Sequence, residues 1–220
     1  RQRQTCIRDR NTLAVRLENL PESSRWYPGA GLYRNVHLIV TEDAYIPVWG
    51  TYITTPSVNE KFAKVNVLTK VVLPEGADPA KYSVETSVWN PNKQKLTAVR
   101  TSLAQMKYNN DQAEQEFVIQ DPFLWSPEMP ALYSAETRLY EGDKLKDVYT
   151  TPFGIRSIEI IPDKGFFLNG KRTVFKGVCN HHDLGPLGTA VNDAAIRRQI
   201  RILKDMGCNA IRTSRNICCG

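Results

Sequence analysis

The sequence lacks any hydrophobic run of about 18 residues, the length that a membrane-spanning helix requires. Residues Arg1–Arg10 contain neither an initiator Met nor the apolar stretch of a signal peptide. We therefore expect no membrane partner, and we expect the natural start of the protein to lie upstream. The sequence predicts no compartment, since cytoplasmic and exported proteins both remain compatible with it.

Cysteines are few and show no useful spacing. Five occur in 220 residues, an odd number without the regular pattern of a disulfide framework. Cys218 and Cys219 are adjacent, which is not the paired spacing of a zinc site. The sequence therefore predicts reduced thiols and indicates no cofactor or metal site.

Basic charge is not concentrated in the part of the chain that shows regular patterns. The formal net charge is +6, but four arginines fall within the first ten residues and Arg215 lies near the end. The remaining charges nearly balance, whereas a nucleic-acid-binding face would show a clustered basic stripe. We therefore expect no nucleic-acid partner.

The patterns that are present are mainly those of β-structure. In the first 45 residues, Leu13, Val15 and Leu17 alternate with polar or small residues, and 32–41 forms a second strand-like run. Two strands do not form a stable sheet by themselves. Residues 1–45 therefore resemble the last part of a β-domain.

Residues 46–155 contain short β-rich runs separated by turn signals such as Asn90-Pro91-Asn92. About seven strands within roughly 100 residues are typical of an immunoglobulin-like sandwich. The predicted runs are Gly50–Thr55, Ala63–Leu73, Tyr82–Asn90, Lys95–Met106, Glu114–Ile119, Ala131–Glu141 and Lys144–Phe153.

The pattern changes in residues 156–220. Asn169-Gly170 predicts a hairpin turn between the strands Gly165–Leu168 and Thr173–Cys179. After a polar loop, Asn192 or Asp193 can cap a helix, and Gly207 can end it. The strand Cys208–Thr213 would complete a βαβ unit, the repeat of a TIM barrel. The apolar face of this helix would consist of Ile196, Ile200, Leu203 and Met206.

Four separated motifs, in order, resemble glycoside hydrolase family 2. SSRWYPGAGLYRNVHL resembles the end of its sugar-binding jelly roll, and DPFLWSPEMPALYSAETRLY the end of its immunoglobulin-like domain. FGIRSIEI with GFFLNGKRTVFKGVCNHHDLGPLG is similar to the start of its catalytic barrel, and MGCNAIRTS to its second barrel strand. The HHDLG form resembles the β-galactosidase-like members.

The resemblance implies a mainly β fragment. Its parts would be the C-terminal part of a jelly roll (1–45), an immunoglobulin-like sandwich (46–155), and the truncated N-terminal part of a (β/α)8 barrel (156–220). Residues 1–10 and 215–220 depart from the family pattern and support no prediction. The resemblance also allows a monovalent or divalent metal ion and a homo-oligomer in the full-length protein.

His181, His182 and Asp183 follow a predicted barrel strand, at the end where TIM-barrel active sites form. They could bind sugar hydroxyls, hold a neighbouring loop, or simply shape their own loop. A metal site is disfavoured because adjacent side chains on extended backbone point apart. By resemblance, Arg212 would approach the nucleophilic carboxylate, although a plain ion pair in the barrel core remains the alternative.

The family implies retaining hydrolysis of terminal β-glycosides, above all β-galactosides, by two Glu on later barrel strands. Such carboxyl groups lie about 5 to 5.5 Å apart. No credible pair occurs in this chain: Asn59-Glu60 imitates the family's acid/base motif but falls in a predicted surface turn of the sandwich. We therefore predict that the fragment is inactive. The alternatives are a non-catalytic carbohydrate-binding or domain-packing sandwich or, within the family, a β-glucuronidase or β-mannosidase.

Overall fold

The computed structural model describes residues 13–18, 20, 31–32, 35–105, 111–180, 184–188 and 192–213. The described chain is mainly β, as the sequence predicted. The strands are β1 (Thr51–Val58), β2 (Phe62–Lys70), β3 (Tyr82–Trp89), β4 (Lys95–Ser102), β5 (Gln112–Gln120), β6 (Tyr133–Glu141), β7 (Lys144–Phe153), β8 (Ile158–Ile161), β9 (Gly165–Leu168), β10 (Lys171–Arg172), β11 (Gly177–Asn180) and β12 (Ala210–Thr213). The helix α1 spans Asp193–Asp205.

The chain divides into two compact units. One contains residues 38–178 and 207–210, and the other contains the described residues of 1–37, 179–206 and 211–220. The strands β1 to β7 all belong to the first unit. Among the described residues, no helix has the length and apolar character needed to cross a membrane.

The strands β1 to β7 form a β-sandwich of two antiparallel sheets. One sheet has the order β1-β2-β5 and the other β4-β3-β6-β7. All seven predicted runs correspond to these strands, and in β2, β3, β5 and β6 alternate side chains are buried in the core. In β2, for example, Ala63, Val65, Val67 and Thr69 are buried while the residues between them are more exposed.

The fourth strand joins the second sheet, where it pairs with β3 along its whole length. A short connection at Asn90–Gln94 favours this pairing. The Asn90 side chain accepts hydrogen bonds from the backbone N–H groups of Asn92 and Gln94, both at 2.9 Å. The three-plus-four division differs from the four-plus-three one of constant-type immunoglobulin domains, in which the fourth strand pairs within the first sheet.

The core between the two sheets consists of two hydrophobic clusters. The first core cluster contains Ala63, Val65, Val67, Val88, Phe117, Ile119, Tyr133, Ala135, Phe153 and Ile155. The second core cluster contains Ala44, Ile46, Val71, Tyr82, Val84, Leu103, Ala113 and Leu139.

A three-stranded sheet, β10-β9-β8, follows the sandwich in the same unit. The predicted Asn169-Gly170 turn joins β9 to β10, with φ angles of 51° and 74°, which suit Asn and Gly. The predicted strand Thr173–Cys179 is only partly correct, because residues 173–176 form no strand and β11 begins at Gly177. β8 was not predicted.

The helix α1 agrees closely with its prediction. Asn192 is the N-cap, and its side chain accepts a hydrogen bond from the Ala195 backbone N–H at 2.8 Å. Gly207 follows the helix with a φ of 89°, as a C-terminal glycine does. On the predicted apolar face, however, Ile200 and Met206 are exposed, so the described residues do not bury that face.

The strands predicted before residue 42 are not present in the described residues of that segment. Leu13, Val15 and Leu17, which were expected to alternate between core and solvent, are all exposed. A strand exists only when neighbouring strands satisfy its backbone N–H and C=O groups, so an alternating pattern alone does not produce one.

Candidate functional site

The candidate site was predicted where β11 and β12 end. These strands form a two-stranded sheet, and α1 lies between them in sequence. The prediction of strand, helix and strand in this order is confirmed.

Asn209 fixes the start of β12. Its backbone N–H donates to the Lys176 carbonyl at 2.9 Å, and its side-chain Oδ1 accepts from the Lys176 N–H at 2.8 Å. Its Nδ2 donates to the Val174 carbonyl at 3.0 Å. These bonds satisfy the carbonyl of Val174 and both backbone groups of Lys176, which take the place of a strand partner just before β11.

Gly177 permits close approach at the same place. A Cβ atom on this residue would lie 2.8 Å from the carbonyl oxygen of Ala210. Any larger side chain would force the two segments apart, so the glycine is required by packing rather than by its φ angle.

The last residue of β11 is tied to the helix. The side chains of Asn180 and Gln199 exchange two hydrogen bonds, of 3.0 Å from Asn180 Nδ2 and 3.2 Å from Gln199 Nε2. A reciprocal amide pair fixes the orientation of both side chains, since each must present its oxygen to the other's nitrogen. The backbone just before His181 therefore has a defined anchor on α1.

The predicted site residues are only partly described. Arg212 is exposed on β12. His181, His182 and Asp183 lie outside the described residues. The predicted convergence of these four side chains over the strand ends therefore stays a prediction.

The described carboxylates from residue 177 onward are Asp193 and Asp205. They stand at opposite ends of α1, roughly 18 Å apart at the rise of a helix. A retaining pair needs about 5 Å, so these two groups cannot act together on one glycosidic bond. Asp193 instead has the usual place of an acidic residue in the first turn of a helix.

The Asn59-Glu60 motif lies in the turn between β1 and β2. Asn59 Oδ1 accepts hydrogen bonds from the backbone N–H groups of Lys61 at 2.8 Å and Phe62 at 2.9 Å. The prediction of a surface turn is confirmed, because this Asn side chain is engaged by its own turn.

The family resemblance allows a metal ion, but the described part of the chain contains no set of side chains that fits one. No cluster of three or more His, Cys, Asp or Glu side chains there could hold an ion. Cys179 and Cys208 are both free thiols.

The clearly shifted pKa values belong to groups outside the candidate site. The hydrogen bond from Lys146 lowers the pKa of Glu42, and the same bond raises the pKa of Lys146. Burial raises the pKa of Tyr133, whose hydroxyl accepts from the Phe123 backbone N–H at 2.8 Å. The Glu42 and Lys146 shifts reflect their ion pair, whereas the Tyr133 shift reflects the burial of its side chain in the core.

Sequence reasoning missed the positioning roles of Asn180, Gln199 and Asn209. A weak signal existed, since Asn180 and Asn209 each stand at an end of a predicted strand, where amide side chains often satisfy backbone groups. The Asn180–Gln199 contact had no local signal, because it joins residues 19 positions apart.

Comparison with known proteins gives two family matches. Residues 45–156 match the family described as "Glycosyl hydrolases family 2", and residues 159–216 match "Glycosyl hydrolases family 2, TIM barrel domain". Among curated relatives, β-galactosidase BoGH2A of Bacteroides ovatus is 42% identical over 94% of this chain and 24% of its own length. A β-glucuronidase of Bacteroides fragilis is 32% identical over 93% of this chain and 31% of its own length.

Solved structures of glycosidases also resemble this chain. A glycosyl hydrolase family 2 member from Bacteroides cellulosilyticus superposes with a TM-score of 0.78 at 35% identity, covering 87% of this chain and 25% of that protein. A β-glycosidase from Bacteroides vulgatus gives a TM-score of 0.77 at 34% identity, covering 87% and 24%. The chain thus spans about a quarter of the proteins that it resembles. From its motifs, its β-sandwich with the start of a TIM barrel, and these matches, the chain belongs to glycosyl hydrolases family 2.

Proposed function

We propose that the full-length protein containing this chain hydrolyses terminal β-glycosides, above all β-galactosides, with retention of anomeric configuration. The observation that carries the proposal is the 42% identity, over 94% of the chain, to a protein named as a β-galactosidase. Retention requires a nucleophilic carboxylate and an acid/base carboxyl group, which form and then hydrolyse a covalent glycosyl-enzyme intermediate. Both Glu would be supplied by barrel strands downstream of β12.

The proposed domain division is the end of a jelly roll in 1–45, an immunoglobulin-like domain in 46–155 and the first part of the barrel in 156–220. In this arrangement Arg212 would lie beside the nucleophile and favour its ionised form by charge and forked hydrogen bonds. His181, His182 and Asp183 would bind sugar hydroxyls or hold the loop that does.

The 220-residue chain by itself would then have no glycosidase turnover. The described carboxylates from residue 177 onward lie too far apart to act as a pair, and removing even one catalytic group costs several orders of magnitude in rate. Hydrolysis of a nitrophenyl β-galactoside by the purified chain, at a rate proportional to its concentration through successive purification steps, would contradict this.

One observation favours a different sugar specificity within the family. A putative β-glucuronidase of Formosa agariphila is 36% identical over 94% of the chain, and solved β-glucuronidases also match. β-Mannosidase activity is a further alternative. Loops of the barrel select the sugar, and the sandwich and first barrel strands do not distinguish these activities. A non-catalytic sandwich that binds carbohydrate or packs against other domains is the alternative from another class.

The test is to assay the full-length protein on a matched panel of nitrophenyl β-galactoside, β-glucuronide, β-glucoside and β-mannoside. We expect the highest kcat/KM on the galactoside, with the β-anomer as the first product in a proton NMR time course. A preference for the glucuronide would overturn the galactoside assignment alone. An α-anomer first product would overturn retention, and no turnover on the panel, combined with binding of the same sugars, would favour the non-catalytic alternative.

A further inference from the structure

One face of the three-stranded sheet β10-β9-β8 is apolar. Across β8 and β9, Ile158 is the direct partner of Leu168, and Ile160 is the direct partner of Phe166. Direct partners lie on the same face of a sheet, as do residues two positions apart on one strand. The ring of Phe175 packs against that of Phe166, with the ring centroids 4.6 Å apart. These five side chains form one continuous surface, which we call the hairpin face.

Much of the hairpin face is exposed to solvent. Ile160 is 77% exposed, and Ile158 and Phe175 are each more than half exposed, whereas Leu168 is buried. Single exposed apolar side chains are common on proteins, but several large ones side by side are typical of a surface that another part of a protein covers. The hairpin face therefore has the character of an interaction surface.

The strands β11 and β12 run parallel, which gives their sheet a defined starting end. The Asn209 backbone N–H donates to the Lys176 carbonyl at 2.9 Å, and a Cβ atom on Gly177 would lie 2.8 Å from the Ala210 carbonyl oxygen. Consecutive residues at the start of β11 therefore meet consecutive residues at the start of β12 in the same order. Both strands begin at the same end of the sheet, as the strands of a TIM barrel do.

The hairpin face is held at this starting end. The Thr173 backbone N–H donates to the Phe166 carbonyl in β9 at 2.8 Å, and the Asn209 side chain donates to the Val174 carbonyl at 3.0 Å. Phe175 of the hairpin face comes only two residues before β11. The sheet β10-β9-β8 is thus joined directly to the residues from which β11 and β12 begin.

The sheet β10-β9-β8 does not belong to the cylinder of a TIM barrel. Its strands pair antiparallel, whereas all eight strands of a TIM barrel are parallel. Nevertheless, residues 159–216 match the barrel domain of the family, and this range includes most of the sheet. The sheet is therefore an addition to the barrel at the end where the barrel strands begin.

The interior of a TIM barrel has the chemistry that suits the hairpin face. It is filled by layers of inward side chains in which Val, Ile and Leu dominate. The layer nearest the strand starts is apolar and must be shielded from water at that end, because exposed apolar surface is unfavourable. The five side chains of the hairpin face are all Ile, Leu or Phe, so they offer an uncharged apolar cover.

We propose that the hairpin face closes the starting end of the complete barrel. Its partner is the set of inward apolar side chains at the starts of the six barrel strands that would follow β12 in the full-length protein. The inference rests on the proposed function only in that the full-length protein contains a complete barrel. It does not depend on which sugar is cleaved.

Hydroxyl-radical footprinting of the 220-residue chain and of the full-length protein tests the contact directly. We expect the oxidation rates of Ile160 and Phe175 to fall several-fold in the full-length protein, because the barrel excludes water from these side chains. Neither protein is given a sugar, so a full-length protein that hydrolyses no β-glycoside leaves the result unaffected.

Ile160→Asp, made in both proteins, tests the energetic role of the surface. In the 220-residue chain it should change the melting temperature little, since Ile160 is exposed there. In the full-length protein it should lower the melting temperature by about 5 °C or more, because it buries an unpaired charge. Val148→Asp, at an exposed β-branched residue of β7, is the matched control and should have little effect in either protein.

Equal oxidation rates of Ile160 and Phe175 in the two proteins would overturn the proposal. An equally small effect of Ile160→Asp on both melting temperatures would also overturn it. If Ile160→Asp instead converts a dimer of the full-length protein into monomers with an unchanged melting temperature, a second copy covers the hairpin face and the proposal is wrong. If the full-length variant does not fold, the footprinting of the two wild-type proteins decides.

Discussion

The side chain of Asn169 donates a hydrogen bond to the backbone carbonyl of Trp125 at 3.0 Å, although the two residues are 44 positions apart. Asn169 Oδ1 also accepts from the Ser157 backbone N–H at 3.0 Å. One turn residue therefore ties the β9–β10 hairpin both to the β5–β6 connection and to the backbone before β8.

This contact predicts that Asn169→Gly destabilises the fold by about 1 to 3 kcal/mol, because the Ser157 N–H loses its acceptor. Glycine keeps the left-handed backbone, with a φ of 51° at this position, so the change isolates the side chain. Equilibrium urea denaturation measures the effect. Asp163→Gly is the control, since Asp163 is exposed and has a φ of 63°. Equal midpoints for the two variants would show that the Asn169 side chain contributes nothing.

The Tyr133 hydroxyl predicts a second stability effect. Tyr133 is 1% exposed, and its oxygen accepts from the Phe123 N–H at 2.8 Å. Tyr133→Phe should lower the free energy of unfolding by about 1 kcal/mol, as expected for one lost hydrogen bond. Tyr52→Phe on exposed β1 should change it by less than about 0.5 kcal/mol. A stability for Tyr133→Phe equal to that of Tyr52→Phe would contradict the role of this bond.

The Glu42–Lys146 pair predicts a dependence of stability on pH. The Lys146 Nζ lies 2.5 Å from Glu42 Oε2, and its hydrogen bond holds the Glu42 pKa below the usual 4.5. A carboxyl group with a lowered folded pKa contributes stability above its unfolded pKa and loses it as the pH falls through the folded pKa. The wild-type chain should therefore lose more stability than Glu42→Gln as the pH falls below 4.5.

Urea midpoints measured from about pH 6 down to about pH 2 would check this, since the contribution disappears across the folded pKa. Glu75→Gln, in an exposed turn, should retain the wild-type profile. The same profile for Glu42→Gln as for wild type would rule out the pair as a source of the acid sensitivity.

The proposed role of Arg212 predicts a kinetic effect in the full-length protein. Arg212→Ala should lower turnover by roughly 10²-fold or more while leaving the melting temperature nearly unchanged, because it removes electrostatic support for the nucleophile. Arg201→Ala, on the exposed side of α1, is the matched control and should retain wild-type turnover. Steady-state kinetics with thermal melts separate the two effects. Turnover within about twofold of wild type would exclude a place for Arg212 beside the nucleophile.

Several elements were predictable because their signals are local. The Asn169-Gly170 turn, the Asn192 cap and the Gly207 helix end each follow from conformations that only a few residue types favour. The seven sandwich strands were likewise predicted from alternation, and β7 begins and ends at the predicted residues. The candidate site stays a prediction, since Arg212 is described on β12 whereas His181, His182 and Asp183 lie outside the described residues.

The sequence by itself determined the family, the seven strands of the sandwich and the helix, because these depend on periodicity, turn residues and ordered motifs. Only the tertiary structure decided which sheet β4 joins and how Asn209 bonds the backbone of Val174 and Lys176 in place of a strand partner. It also decided that the alternating residues before position 42 form no strand in their described part. The physical reason is common to all three: each depends on hydrogen-bond partners from distant parts of the chain, and a local pattern does not specify which partner is present.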